Sequence, residues 1–232
     1  MRALPAALLA LALCACSAVR PAEMALPDGV RESTQRILLS GIGSARTGTV
    51  TAAGFSGPFE RSASRFDLSG RYSSSGGGAF FALTPAGGGP VLSGECETRL
   101  KTVGFPRWGV SADVLPLAYS CRLSRGGSVT DIMEVQEARG RDALFRNARR
   151  GMLTWENIRL DFESVHAIEG SPLGTADALG YRVLRDGAVI GAVDLNGAPS
   201  VLMPTTAEPA LREAMIVGAV ALGLFWDPAT LD

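Results

Sequence analysis

The stretch YRVLRDGAVIGAVDLNGAPSVLM, residues 181–203, indicates the fold more clearly than any other part of this 232-residue chain. Two dipeptides, Asp186-Gly187 and Asn196-Gly197, divide it into three short runs rich in apolar residues. Both dipeptides suit tight hairpin turns, because Asp, Asn and Gly tolerate positive φ angles. The stretch is therefore predicted to be a three-stranded antiparallel meander with strands at 181–185, 188–195 and 199–203.

Short runs of the same kind begin near residue 36 and are separated by clusters of glycine, serine and proline. In Ile158–Phe162 the apolar residues alternate with Arg159 and Asp161, as in a strand with one buried face. Further strands are predicted at 36–39, 47–52, 64–68, 79–83, 91–100, 114–123 and 129–135, and turns or mobile loop tips at the glycine-rich clusters 73–78 and 85–90. Many short strands at this spacing predict a mainly β fold, either an antiparallel barrel or a sandwich.

The chain ends in a different pattern, an apolar run over residues 214–226. Thr205 or Thr206 can cap a helix there, and Pro209 is tolerated in its first turn. A helix without a polar face must be buried on all sides. A membrane span is disfavoured because about 13 residues reach only about 20 Å, against a bilayer core of about 30 Å. We therefore predict a buried C-terminal helix over residues 207–226, surrounded by the sheet.

The order of these elements, many antiparallel strands followed by a terminal apolar helix, resembles the tubby and phospholipid-scramblase class of folds. The resemblance covers the chain from Arg36 to its end and involves no sequence motif. It implies a barrel around the helix. Because the class includes phosphoinositide-binding and membrane-associated members, it also implies contact with lipid.

The first seventeen residues have the layout of an export signal, with Arg2 ahead of an apolar stretch and a small residue, Ala15, before a cysteine. The ending Leu13-Cys14-Ala15-Cys16 resembles the lipobox of bacterial lipoproteins. That resemblance implies that residues 1–15 are removed and that Cys16 is acylated and anchors the chain in a membrane. An ordinary secretory signal, cut after Ala12 or Ala18, is the alternative.

The position after Cys16 bears on the location, since lipoproteins kept at the inner membrane usually carry Asp there. Here it is Ser17, which by the same resemblance implies an outer-membrane anchor facing the periplasm. Residues 16–34 contain prolines and little apolar periodicity and are predicted to be a tether. Residues 35–232 are then one β-rich domain. A formal charge of −1 favours no nucleic-acid partner.

Two cysteines, Cys96 and Cys121, remain in the exported part. Each lies an even number of positions from leucines in the same strand-like run, so it shares their face of the strand. Both sulfurs are therefore expected to face the core. In an oxidising compartment such a pair is most simply a disulfide. A redox-active pair or a metal site is the alternative, but the former usually has Cys-x-x-Cys spacing and the latter needs more ligands than this chain offers.

His166 is the only histidine, so a catalytic dyad or triad based on histidine must use it. One hypothesis makes it a general base beside a carboxylate such as Glu163 or Glu169, in an envelope hydrolase or other enzyme. The favoured hypothesis is a solvent-facing histidine on a strand. The Gly-x-Ser-x-Gly signature of one hydrolase class is missing, and so are dinucleotide and phosphate-loop fingerprints. No cofactor or metal site is predicted.

The densest basic stretch is the best sequence candidate for contact with an anion, because arginine grips phosphate well. A solvated loop or short helix is the alternative. Its arginines are Arg139, Arg141, Arg146, Arg149 and Arg150. The three tryptophans, Trp108, Trp155 and Trp226, are scattered and are expected in the core or at its rim. The sequence thus predicts a lipid-anchored periplasmic protein acting as a non-catalytic binding or envelope-support module, with lipid or lipopolysaccharide as candidate ligands.

Overall fold

The computed structural model describes residues 22–68, 72–105, 110–138 and 146–227, which form two helices and twelve strands. The helices are α1 (Val30–Ser33) and α2 (Pro209–Leu224). The strands are β1 (Thr34–Leu38), β2 (Thr47–Ala52), β3 (Phe55–Leu68), β4 (Tyr72–Pro85), β5 (Leu92–Phe105), β6 (Val110–Arg125), β7 (Ser128–Glu137), β8 (Arg149–Trp155), β9 (Ile158–Val165), β10 (Gly180–Arg185), β11 (Ala188–Asp194) and β12 (Ser200–Pro204).

All twelve strands belong to one antiparallel sheet that curls into a nearly closed barrel. From β2 to β12 each strand pairs with the next one along the chain, and β1 pairs with β12. The two edge strands, β1 and β2, approach each other where Ser40 and Thr51 exchange backbone hydrogen bonds of 3.0 and 2.9 Å. This confirms the mainly β class and decides for a barrel over a sandwich.

The predicted meander is confirmed as β10, β11 and β12. Asp186 and Gly187 have φ angles of 52° and 80°, as expected for a two-residue hairpin turn. The second connection differs from the prediction. Asp194 pairs with Ser200, so Asn196-Gly197 lies in a five-residue loop rather than a tight turn.

One sequence prediction about the sheet is wrong, and one strand was missed. Residues 73–78 are not a turn but part of β4, where Gly77 pairs with Ala63 of β3. A Cβ atom at Gly77 would lie 2.4 Å from the Ser62 carbonyl oxygen, so glycine here allows a close approach between strands. Strand β8 was not predicted at all, because it starts with two arginines and a glycine.

The C-terminal helix α2 is two residues shorter at each end than predicted. Every residue from 214 to 222 is buried, and α2 contacts β4, β5, β8, β9 and β12. Strands so far apart in the sheet can contact one helix only because the sheet curls around it. A Cβ atom at Gly218 would lie 2.9 Å from Phe162 Cζ, so small residues allow this packing. The N-cap is Glu208, rather than Thr205 or Thr206.

Residues 22–33, predicted as part of the tether, pack on the outside of the barrel. Met24 is 1% exposed and lies in a small apolar cluster with Val165, Leu179, Ala192 and Leu202. Ala25 N donates a 2.9 Å hydrogen bond to Ala167 O. Residues 16–21 lie outside the described residues, and for them the tether stays a prediction.

Candidate functional site

A groove of about 500 Å³ opens on the barrel wall where β8, β9 and β10 meet the N-terminal segment. Its walls combine several charged or polar side chains with the apolar edge of that segment. We call it the arginine groove and define it by Arg146, Arg150, Glu163, Ser164, His166, Arg182 and residues 25–27.

Among the described residues that line the groove, four arginines and one glutamate are charged: Arg146, Arg149, Arg150, Arg182 and Glu163. Arg150, Glu163 and Arg182 are direct cross-strand neighbours on β8, β9 and β10. Arg182 Nη2 donates to Glu163 Oε2 at 3.1 Å, whereas the buried Arg182 Nε has no partner among the described residues. Within that part of the chain, neither Arg146 nor Arg150 makes an ion pair. The described residues of the groove therefore carry an excess of positive charge.

His166 lies in this groove and is not the solvent-facing residue that was favoured, since only 6% of it is exposed. Its Nδ1 is 3.2 Å from Thr175 O, which can only accept, so Nδ1 carries the proton. In the neutral ring, Nε2 carries no proton and accepts a hydrogen bond from Ser164 Oγ at 3.0 Å. Ser164 Oγ in turn accepts from Arg149 N at 2.9 Å. Among the described residues, the partners of His166 are thus a hydroxyl and a carbonyl, not a carboxylate.

Burial lowers the pKa of His166 below its usual 6.5, and the nearby charge of Arg146 lowers it further, while backbone hydrogen bonds oppose the shift. Below pH 6.5 the unfolded chain takes up this proton before the folded one, so the stability should fall as the pH drops through the lowered pKa. As the pH is lowered below 6.5, we expect the urea midpoint of His166→Gln to decrease less than that of the wild type. Parallel pH profiles for the two proteins would contradict this assignment.

The predicted arginine cluster divides between two faces of the barrel wall. Arg146, Arg149 and Arg150 all border the groove, and Arg139 and Arg141 lie outside the described residues. Adjacent residues of a strand point to opposite faces. Arg150 points to the exposed face of β8, so Arg149 points to the inner face and is only 4% exposed. Its Nε and Nη2 donate to the two carboxylate oxygens of Asp227 at 3.0 and 3.2 Å. Arg149 is thus not a solvated loop residue, and its charge is already paired.

The same end of the barrel holds a second buried arginine, Arg61, at the C-terminus of α2. Its guanidinium stacks on Trp226 at 4.4 Å and donates to Gly223 O at 3.4 Å, satisfying a terminal helix carbonyl. Tyr119 Oη donates to Ala221 O at 2.8 Å in the same way. These contacts join β3 and β6 to the end of α2 and indicate a structural role. Trp155 is fully buried, and Trp108 lies outside the described residues.

The predicted disulfide between Cys96 and Cys121 is present and buried in the core.

Arg182 was missed as a groove residue, because only the strand register places it beside Glu163. Cys16, the proposed anchor, lies outside the described residues. Within the described ranges, no cluster of three or more His, Cys, Asp or Glu could hold a metal ion.

The groove has the chemistry of an anion-binding site, because guanidinium groups form bidentate hydrogen bonds to phosphate or carboxylate. Neither described helix has the length and apolar character needed to cross a bilayer. Searches against family models, curated proteins and solved structures found no match for this chain.

Proposed function

We propose that this protein is an outer-membrane lipoprotein facing the periplasm, and that it works as a non-catalytic binding module whose arginine groove takes the phosphate of an anionic ligand. The observation that carries the proposal is the charge of the groove, where Arg146 and Arg150 have no ion-pair partner among the described residues. Phospholipid headgroups and lipopolysaccharide are ligands of this chemistry. The resemblance of the element order to the tubby and scramblase class is a second reason to propose a lipid ligand.

Binding of a water-soluble, short-chain phosphatidylglycerol to the Cys16→Ala protein tests the groove. The double variant Arg146→Gln/Arg150→Gln should bind at least about tenfold more weakly, since each hydrogen bond to a charged group contributes about 1.5–3 kcal/mol. Isothermal titration calorimetry measures the affinities.

A matched control removes the same charge elsewhere on the barrel. Arg99 and Arg122 are 71% and 64% exposed on β5 and β6, so Arg99→Gln/Arg122→Gln should leave the affinity within twofold of the wild type. Equal losses in the two double variants would point to net charge alone and would contradict a site in the groove.

The anchor is tested separately by cell fractionation. Cys16→Ala should move the protein from the membrane fraction to the soluble periplasm, because it removes the acylated atom. The matched control is Cys14→Ala, which changes a cysteine two residues earlier and should leave the protein in the membrane fraction. Membrane retention of Cys16→Ala would contradict the lipid anchor.

A second candidate function is hydrolysis of an ester, favoured by the 3.0 Å contact between Ser164 Oγ and His166 Nε2. A neutral histidine with Nδ1 held by a carbonyl can accept the serine proton, as a general base does. Covalent labelling of Ser164 by a fluorophosphonate would favour this function over the non-catalytic one.

A further inference from the structure

The N-terminal segment joins the arginine groove to the proposed anchor. Asn196 Nδ2 donates to Ala22 O, and Ala25 N donates to Ala167 O. Met24, between these two contacts, is almost fully buried. The chain is therefore held against the barrel from Ala22 onward, and Ala25 already lines the groove.

Only six residue steps separate Ala22 from Cys16. An extended chain advances at most about 3.6 Å per residue, so Ala22 lies within about 22 Å of the Cys16 position. The groove wall begins at Ala25, at most about 11 Å farther along. An anchor at Cys16 therefore keeps the start of the groove wall within about 33 Å of the anchor point, which allows the groove to reach the membrane surface.

This distance bears on which anions the groove can meet. An anionic leaflet attracts each arginine near its surface by about 1 kcal/mol. The attraction falls off within a Debye length, about 8 Å at physiological ionic strength, so it acts when the groove lies against the surface, a position that the tether allows. A short tether also gives lipid headgroups a high effective concentration at the groove. Arg146 and Arg150 supply the complementary charge.

We infer that the groove binds, in cis, the phosphate headgroup of a phospholipid in the same leaflet that holds the Cys16 acyl chains. This inference rests on the proposed function and adds the source of the ligand. It assigns the 25–27 edge of the barrel to the side that faces the membrane. The short tether then limits the groove to lipids of the membrane that holds the anchor.

The experiment uses the acylated full-length protein in phosphatidylcholine vesicles with a minor fraction of phosphatidylglycerol that carries a photo-crosslinker on its headgroup. Mass spectrometry should locate crosslinks on peptides containing Arg150 and Arg182. Vesicles that carry the crosslinker but no protein, mixed with protein in unlabelled vesicles, should give few crosslinks. A flexible Gly-Ser insert of about 30 residues between Ser17 and Ala18 should lower the cis crosslinking about tenfold.

The outcomes separate this inference from the proposed function. Equal crosslinking in cis and in trans, or no effect of the insert, would overturn the inference while the Cys16→Ala protein still binds soluble phosphatidylglycerol through Arg146 and Arg150. Loss of that groove-dependent binding in solution would instead overturn the proposed function itself. Crosslinks that depend on the tether length and lie in the groove support both.

Discussion

Replacing Arg149 with leucine should lower the free energy of unfolding by about 3–5 kcal/mol, the usual cost of breaking a buried ion pair by removing one partner. The side chains of Arg149 and Asp227 are 4% and 17% exposed, and two hydrogen bonds join them. Without the guanidinium, the Asp227 carboxylate remains near Tyr181, where burial and this carboxylate already raise the pKa of the tyrosine. Urea unfolding followed by circular dichroism measures the change.

The neighbouring residue provides a matched control. Arg150 lies next to Arg149 on β8. It is exposed and makes no ion pair within the described part of the chain. Arg150→Leu should therefore change the free energy of unfolding by no more than about 0.5 kcal/mol. If both variants lost the same stability, the Arg149–Asp227 pair would have no special structural role.

These two arginines also show why the sequence indicated only some of the residues that line the groove. A run of arginines in a sequence looks like one charged surface, yet on a strand Arg149 and Arg150 point to opposite faces. Which face of β8 lies inside the barrel depends on its pairing with β7 and β9. The strand itself was not predicted, because it begins with polar residues. Arg182 and Glu163 meet through the register of β9 and β10, which local patterns do not contain.

Local patterns succeeded where one strand or turn held all the necessary information. The alternation around Cys96 and Cys121 placed both on the core side, and the Asp186-Gly187 turn marked its hairpin. They failed where distant segments supply the burial. His166 is covered by contacts with the chain near Thr175, and β4 contains a serine and glycine stretch with little strand propensity of its own.

The disulfide should contribute about 3 kcal/mol to the free energy of unfolding, because it closes a loop of 25 residues in the unfolded chain. Cys96 and Cys121 are direct partners in the pairing of β5 and β6, so the bond links strands that the backbone already holds together. Its effect is therefore expected mainly on the unfolded state. Reduction before unfolding should lower the urea midpoint while the native circular dichroism spectrum is retained.

Variants of the two cysteines distinguish this loop effect from the packing of the side chains. Cys96→Ala, Cys121→Ala and the double variant should lose similar stability, since each removes the same bond, and reductant should change none of them further. Additive losses would instead mean that each sulfur contributes by packing, because both residues are only 2% exposed. An unchanged midpoint of the wild type on reduction would contradict a stabilising role for this bond, and the barrel would then depend on strand pairing and helix burial alone.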